Sequence, residues 1–136
     1  MTRYIALVDH DKAGFGVVFP DAPGATAMGD TLDEALNHAA EALSDWMQGE
    51  VEDGRRMPKA RSWAALRKDG EVAEALAEGA VMALVPLIMT SGKSVRANLS
   101  LDEGLLRAID EAARRNGVTR SAFLASAARQ KIEAGV

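Results

Sequence analysis

The chain has 136 residues, 48% of them hydrophobic and 26% charged, which is enough for one ordinary domain or two small ones. It contains no cysteine, so disulfides and thiolate metal sites are excluded. The net charge of −4 is unevenly spread: residues 1–92 hold 8 Lys/Arg against 15 Asp/Glu, whereas residues 93–136 hold 8 against 5, the layout of a basic nucleic-acid module attached to an acidic body.

The first ten residues carry charge and lack the apolar core of a signal peptide. The longest apolar run, residues 80–89, contains Pro86 and is too short to span a bilayer. These features lead to the expectation of a soluble, cytoplasmic protein with no membrane partner. Tyr4 to Val8 reads as a first strand, and the polar stretch from Asp9 to Gly14 reads as a turn. Phe15, Val17 and Phe19 then share one face at the two-residue strand period, before Pro20 stops the run. Asp21-Ala22-Pro23-Gly24 signals a turn, and Ala25 to Met28 a third strand ended by Gly29.

Leu32, Ala35, Leu36, Ala39, Leu43, Trp46 and Met47 recur at helical spacing and predict an amphipathic helix. Thr31-Leu32-Asp33-Glu34 is a capping box, and Asp30, Asp33 and Glu34 suit the positive end of that helix. Gly49 or Gly54 is expected to end it. Residues 51–79 read as largely irregular, with Ser62 capping a short helix through Leu66, a break at Asp69-Gly70, and a turn or two of helix from Glu71 to Ala77 stopped by Gly79. Ala80 to Leu87 reads as a buried strand with Pro86 near its end or at a sheet edge. Thr90-Ser91-Gly92 is a polar linker.

From Ser94 the pattern changes. Val95, Ala97, Leu99 and Leu101 alternate with Ser94, Arg96, Asn98 and Ser100, a strand with one apolar face and one hydrogen-bonding face. A helix with Leu105, Leu106, Ile109, Ala112 and Ala113 inside follows and stops at Asn116-Gly117. Thr119 caps a second helix carrying Phe123, Leu124, Ala127, Ala128 and Ile132. One strand and two helices in about 40 residues cannot stand alone. The strand needs a second strand for its amides and carbonyls, and a second chain supplies it. An antiparallel two-stranded ribbon fits the DNA major groove, where arginine pairs with guanine and asparagine with adenine. The expected base-reading residues are therefore Arg96, Asn98 and Ser100. The expected phosphate contacts are Lys93, Ser94, Thr119, Arg120 and Ser121, the last three at a helix N-terminus whose free amides favour anions. Two bland alternatives stand beside this. The strand and helices can serve dimerisation alone, and Ser100-Leu101-Asp102-Glu103 is also a capping box in which Ser100 caps the helix.

The stretch VRANLSLDEGLLRAIDEAARRNGVTRSAFLASAAR resembles the ribbon-helix-helix repressors. The N-terminal half, in Gly14-Phe15-Gly16-Val17-Val18-Phe19-Pro20-Asp21-Ala22-Pro23-Gly24, Gly29-Asp30-Thr31-Leu32-Asp33-Glu34-Ala35-Leu36 and the strand VMALVPL, resembles the HicB antitoxins, with Phe15 where that family commonly has tyrosine. The resemblance implies an α+β protein. Residues 1–90 would form a β-β-β-α-β domain like a truncated ribonuclease H fold that neutralises a toxin, and residues 93–136 a ribbon-helix-helix domain for dimerisation and DNA binding. It implies a HicA-like toxin, an mRNA-cleaving ribonuclease, as one partner and operator DNA as the other, with repression of the chain's own operon. It also implies a homodimer, two of which can associate into a homotetramer. The acidic balance of residues 1–92 suits a basic, RNA-binding partner. The alternative function is a stand-alone repressor whose N-terminal domain senses a ligand.

No enzyme, cofactor or metal is expected. Asp9, Asp11 and Asp21 belong to turns and Asp30 and Asp33 to a helix start, so a metal-dependent nuclease is disfavoured. His10 and His38 lie in no metal-ligand spacing motif and read as surface residues. Trp46 joins the core stripe of its helix. Trp63 is expected to pin its loop onto its own domain, with a partner anchor as the competing role.

Overall fold

A computed structural model of the chain describes residues 2–134. The chain folds as two compact units, Met1–Thr90 and Ser91–Val136.

The first unit is an antiparallel sheet of four strands in the order β3-β2-β1-β4. The strands are β1 (Arg3–Asp11), β2 (Gly14–Val18), β3 (Thr26–Gly29) and β4 (Val81–Pro86), and α1 (Leu32–Glu52), α2 (Trp63–Leu66) and α3 (Gly70–Ala77) lie between β3 and β4 in the chain. β1 is longer than its apolar run predicts. Asp9, His10 and Asp11 pair with Gly16, Phe15 and Gly14, so the turn shrinks to Lys12-Ala13. The Asp11 carboxylate accepts from the Ala13 amide (2.7 Å), and Gly14 adopts φ +119°, which a side chain would resist.

The alternation along β1 explains the two cores. Tyr4, Ala6 and Val8 point to one face and pack with Val17, Phe19 and Val85 against Ala35, Ala39, Leu43 and Met47 of α1. Leu7 points to the other face and packs with Leu66 of α2 and Val72 of α3, flanked by Ile5 and Met82. A strand covered on both faces reads as a continuous apolar run. The segment 51–79, expected to be largely irregular, therefore supplies the second cover. Ser62 caps α2 and Asp69 caps α3, the Asp69 carboxylate accepting from the Glu71 and Val72 amides.

Other expectations are corrected. Leu32 is not in the core but exposed on the first turn of α1. Gly49 lies inside α1, which runs on to a cap at Asp53 with Gly54 at φ +75°. β4 is not wholly buried: Leu84, on the α3 side of the sheet, is 64% exposed, and Val81, which pairs with Val8 on the α1 side, is 58% exposed. Pro86 does sit at the end of an edge strand. The capping box at Thr31 forms, with the Glu34 amide donating to the Thr31 hydroxyl (3.1 Å) and the Glu34 carboxylate reaching back to the Asp30 amide (3.2 Å).

The second unit contains α4 (Glu103–Arg115) and α5 (Arg120–Ala134). Asp102, not Ser100, caps α4: its carboxylate accepts from the Leu105 amide (3.0 Å). Asn116 ends α4 and Gly117 turns the chain at φ +66°. Thr119 caps α5 through the Ala122 amide (3.1 Å). Ile109 and Ala113 are buried, whereas Leu105, expected inside, is 51% exposed. Residues 93–102 form no strand and have no ladder partner among the described residues.

Candidate partner and nucleic-acid interfaces

The tail presents apolar side chains that its own unit leaves uncovered. Val95 is 88%, Leu99 65% and Leu101 40% exposed. They border an open cleft of about 830 Å³ whose other wall is built by Leu106 of α4 and Leu124 of α5. Isolated apolar residues on a surface are ordinary; a contiguous set facing a cleft marks an interaction surface. Among the described residues the backbone of residues 95–101 also makes no backbone–backbone hydrogen bond, so one missing element would satisfy both the amides and the side chains.

Arg96, Asn98 and Ser100 are exposed, and their side chains have no hydrogen-bond partner among the described residues. Asn98 and Ser100 border the cleft together with the apolar residues. The two faces of the alternating pattern are therefore not separated in a single chain, since a pleat is held only by a ladder. Lys93 donates its amide to the Ser91 hydroxyl (3.2 Å), and Lys93 and Ser94 are exposed.

At the start of α5, Thr119, Arg120 and Ser121 stand together, all exposed. The Thr119 hydroxyl oxygen is engaged as cap acceptor, which leaves its hydrogen to donate. Arg120 is committed within the chain. Its Nε and terminal nitrogen reach both carboxylate oxygens of Asp110 at 2.8 Å. Hydrogen bonding from Arg120, then its charge and that of Arg114, holds the Asp110 carboxyl below its ordinary range. Sequence reasoning missed Asp110, because its ten-residue separation from Arg120 crosses the Asn116-Gly117 turn and has no local signature.

In the first unit the charge is segregated. Residues 4–52 hold ten acids and one basic residue, Lys12, whereas residues 53–68 hold six basic residues and one acid. Exposed Asp9, Asp30, Asp33, Glu41 and Asp45 have no ion-pair partner among the described residues. Two of the six basic residues in that stretch, Arg55 and Arg61, are ion-paired. Arg55 binds Glu50 and Asp53, and Arg61 bridges Asp21 and Asp69. Arg67 lies over the Trp63 ring, 5.6 Å from its centre, and Trp63 is 42% exposed, so it does not pin its loop by burial. Trp46 packs at the core edge against Gly24, where a Cβ would overlap its indole. His38 meets the Met28 carbonyl (2.7 Å), and His10 stacks on Phe15 with ring centres 4.1 Å apart. Among the described residues no group of three or more His, Asp or Glu side chains is placed to hold a metal ion, and no helix is long and apolar enough to cross a membrane.

Comparison with known proteins gives this arrangement a family. Residues 4–128 match the model of the HicB-like antitoxin of bacterial toxin–antitoxin systems. The chain is 30% identical over 108 residues to a 14.9 kDa protein from the rep–hol intergenic region of Haemophilus phage HP1, covering 79% of each. It is 43% identical over 56 residues to antitoxin HicB 2 of Photorhabdus laumondii, covering 41% of this chain and 40% of that protein. Its fold is similar to the crystal structure of the Burkholderia pseudomallei antitoxin HicB, with a TM-score of 0.57, 31% identity, and 94% of this chain and 96% of that one covered. The chain belongs to the HicB-like antitoxin family.

Proposed function

We propose that this HicB-like antitoxin inhibits a HicA-type mRNA-cleaving ribonuclease through its first unit and represses its own operon through its second, with no catalysis of its own. The first unit, in this reading, is a partial ribonuclease-H-like domain. Its exposed carboxylates on the β1–β2 hairpin and along α1 attract a protein whose RNA-binding surface must be cationic. Like-signed RNA is excluded from the same surface. Family membership and the charge segregation support this part.

The second unit acts as a ribbon-helix-helix dimer. The observation that carries this part is the coincidence of an unpartnered backbone with exposed Val95, Leu99 and Leu101 beside a cleft walled by Leu106 and Leu124. A second tail laid antiparallel would pair the backbone, turn the alternate apolar residues into the two clefts, and leave Arg96, Asn98 and Ser100 outward in the major groove. Lys93, Ser94, Thr119, Ser121 and the first amides of α5 would then face phosphates. Arg120 can join them only by sharing its guanidinium with Asp110.

Co-expression with the adjacent small reading frame tests the first part: co-purification and rescue of growth are expected, and neither occurring would overturn it. Operator binding by the wild-type protein and by Leu99→Asp tests the second. Loss of binding together with loss of tail dimerisation in the variant is expected, and unaltered binding would overturn it.

A further inference from the structure

The strap between α1 and α2 has a charge and a fixing that neither the antitoxin nor the repressor role explains. Residues 54–68 hold six basic residues and no acid, and the only other basic residues before Lys93 are Arg3 and Lys12. Arg55 and Arg61 are neutralised by carboxylates. Arg56, Lys59, Arg67 and Lys68 are exposed and have no ion-pair partner among the described residues. A single-signed cluster left unpaired inside an acidic unit is a local attractor for anions.

The cluster is held in place. From Met57 to Arg61 the residues alternate between exposed and half-buried, as in an extended segment laid on a surface. The inward positions are Pro58, whose carbonyl accepts from the Tyr4 hydroxyl, and Ala60, which packs against the first core. The Arg61 amide then donates to Asp21 (2.7 Å). Met57 and Lys59 therefore face outward from a backbone tied at three successive points. A charge run that served solubility alone would need no such ties. A binding surface gains from them, because the ordering cost is met before the ligand arrives.

The strap runs into α2, where Trp63 and Arg67 stand one helical turn apart and meet. The guanidinium lies over the indole, 5.6 Å from its centre, and Trp63 is 42% exposed. Together they offer two flat partners to another flat group, flanked by unpaired cations. Flat groups linked by anions are unpaired nucleotides, and surfaces that take single strands combine stacking side chains with cations along the backbone path. A duplex buries the faces of its bases, so it cannot use the indole. A membrane needs a contiguous apolar face, whereas here Ala60 and Leu66 turn into the two cores.

We infer that the strap is a binding surface for single-stranded nucleic acid. An unpaired base stacks on the Trp63–Arg67 pair, and Arg56, Lys59 and Lys68 meet the phosphates. The surface is distinct from the two already proposed: a cationic toxin is repelled by it, and duplex DNA is read by the tail. It stands whether or not those two readings hold.

Fluorescence anisotropy of the full chain with a labelled oligouridylate and a labelled oligothymidylate of about 12 nucleotides tests this at low salt. Trp63→Ala should weaken binding by on the order of tenfold, and Trp63→Phe should restore most of it, because a smaller ring still stacks. Lys59→Glu with Lys68→Glu should weaken binding and flatten its salt dependence. Binding to duplex DNA should be unaltered in Trp63→Ala. Tighter binding of the oligouridylate upholds the inference with RNA as the ligand, and the reverse upholds it with single-stranded DNA. No binding of either strand overturns it. So does affinity that survives Trp63→Ala but is lost in Arg96→Ala, which assigns the strand to the tail. Photocrosslinking of the unmutated chain to an iodouridine-containing strand is independent of whether the variants fold. Crosslinks should map to residues 56–68, and crosslinks confined to the tail overturn the inference.

Discussion

Arg61 grips Asp21 across forty residues of sequence: its backbone amide donates to one carboxylate oxygen (2.7 Å) and its Nε to the other (2.5 Å). The Asp21 side chain is only 8% exposed, and the Arg61 guanidinium also reaches Asp69 at the cap of α3 (3.2 Å). The Tyr4 hydroxyl donates to the Pro58 carbonyl nearby. Together these bonds hold the strap between α1 and α2 across the end of the sheet. Asp21→Ala strands a backbone amide and removes one of the two carboxylates that the Arg61 guanidinium meets, whereas Arg61→Ala removes only the side-chain contacts. Asp21→Ala should therefore lower unfolding free energy by about 1–2 kcal/mol, more than Arg61→Ala, in urea melts. Equal effects would assign no role to the Arg61 amide.

Stability should fall on the acid side. Asp110 is held below its ordinary value of 3.8 chiefly by the hydrogen bond from Arg120, and Asp69 below the same value chiefly by the Val72 amide and then Arg61. Glu50 is lowered from 4.5, chiefly by Arg55. For a lowered carboxyl the contribution is complete above the unfolded value and is lost as pH falls through the folded one. Urea midpoints should thus be flat above about pH 5 and decline below about pH 4. Tyr4 is raised from 10.0 by burial and then by Asp21, so its contribution is present below that value and lost as pH rises past the raised one. Salt-bridge variants such as Asp110→Asn should flatten part of the acid decline.

Two glycines of the β2–β3 pair should respond differently to alanine. A Cβ on Gly29 would overlap the backbone of Ala35 in α1, which cannot move without shifting the helix. Gly16 has nothing within 4 Å of that position. Gly29→Ala should cost about 1–3 kcal/mol by overpacking, and Gly16→Ala should lie within about 0.5 kcal/mol of wild type. Thermal melts of the pair check this; matched melting temperatures would mean that α1 can slide on β3.

On DNA, Asn98→Ala should weaken operator binding by about 1–3 kcal/mol while leaving binding to random DNA nearly unaltered. Arg120→Ala should weaken both and reduce the salt slope by about 1. An unaltered salt slope in Arg120→Ala would assign that residue to Asp110 alone.

Local chemistry was legible in the sequence wherever neighbours in the chain decide it. The Thr31 capping box, the Ser62 and Thr119 caps, the Asn116-Gly117 stop and the strand parity of Phe15, Val17 and Phe19 all involve residues a few positions apart. Misreadings arose where a remote element wins. Leu32 matches the helical stripe, but at the first position of α1 it stays exposed. VMALVPL looks buried, but α3 is too short to cover Leu84. In segment 51–79 the two short helices form where the sequence placed them, but that they cover Leu7 on the far face of the sheet is not written in the linear pattern.

By itself, then, the order of residues determined the elements, their caps, the split of charge and the lack of a local partner for residues 93–101. These follow from short-range hydrogen bonding and periodicity, which a linear pattern records. Only the tertiary structure decided that Asp110 engages Arg120, that Arg61 bridges Asp21 and Asp69, and that His38 meets the Met28 carbonyl of β3. Those outcomes depend on which distant groups the packed sheet brings within a few ångströms of one another, and no spacing along the chain encodes that distance.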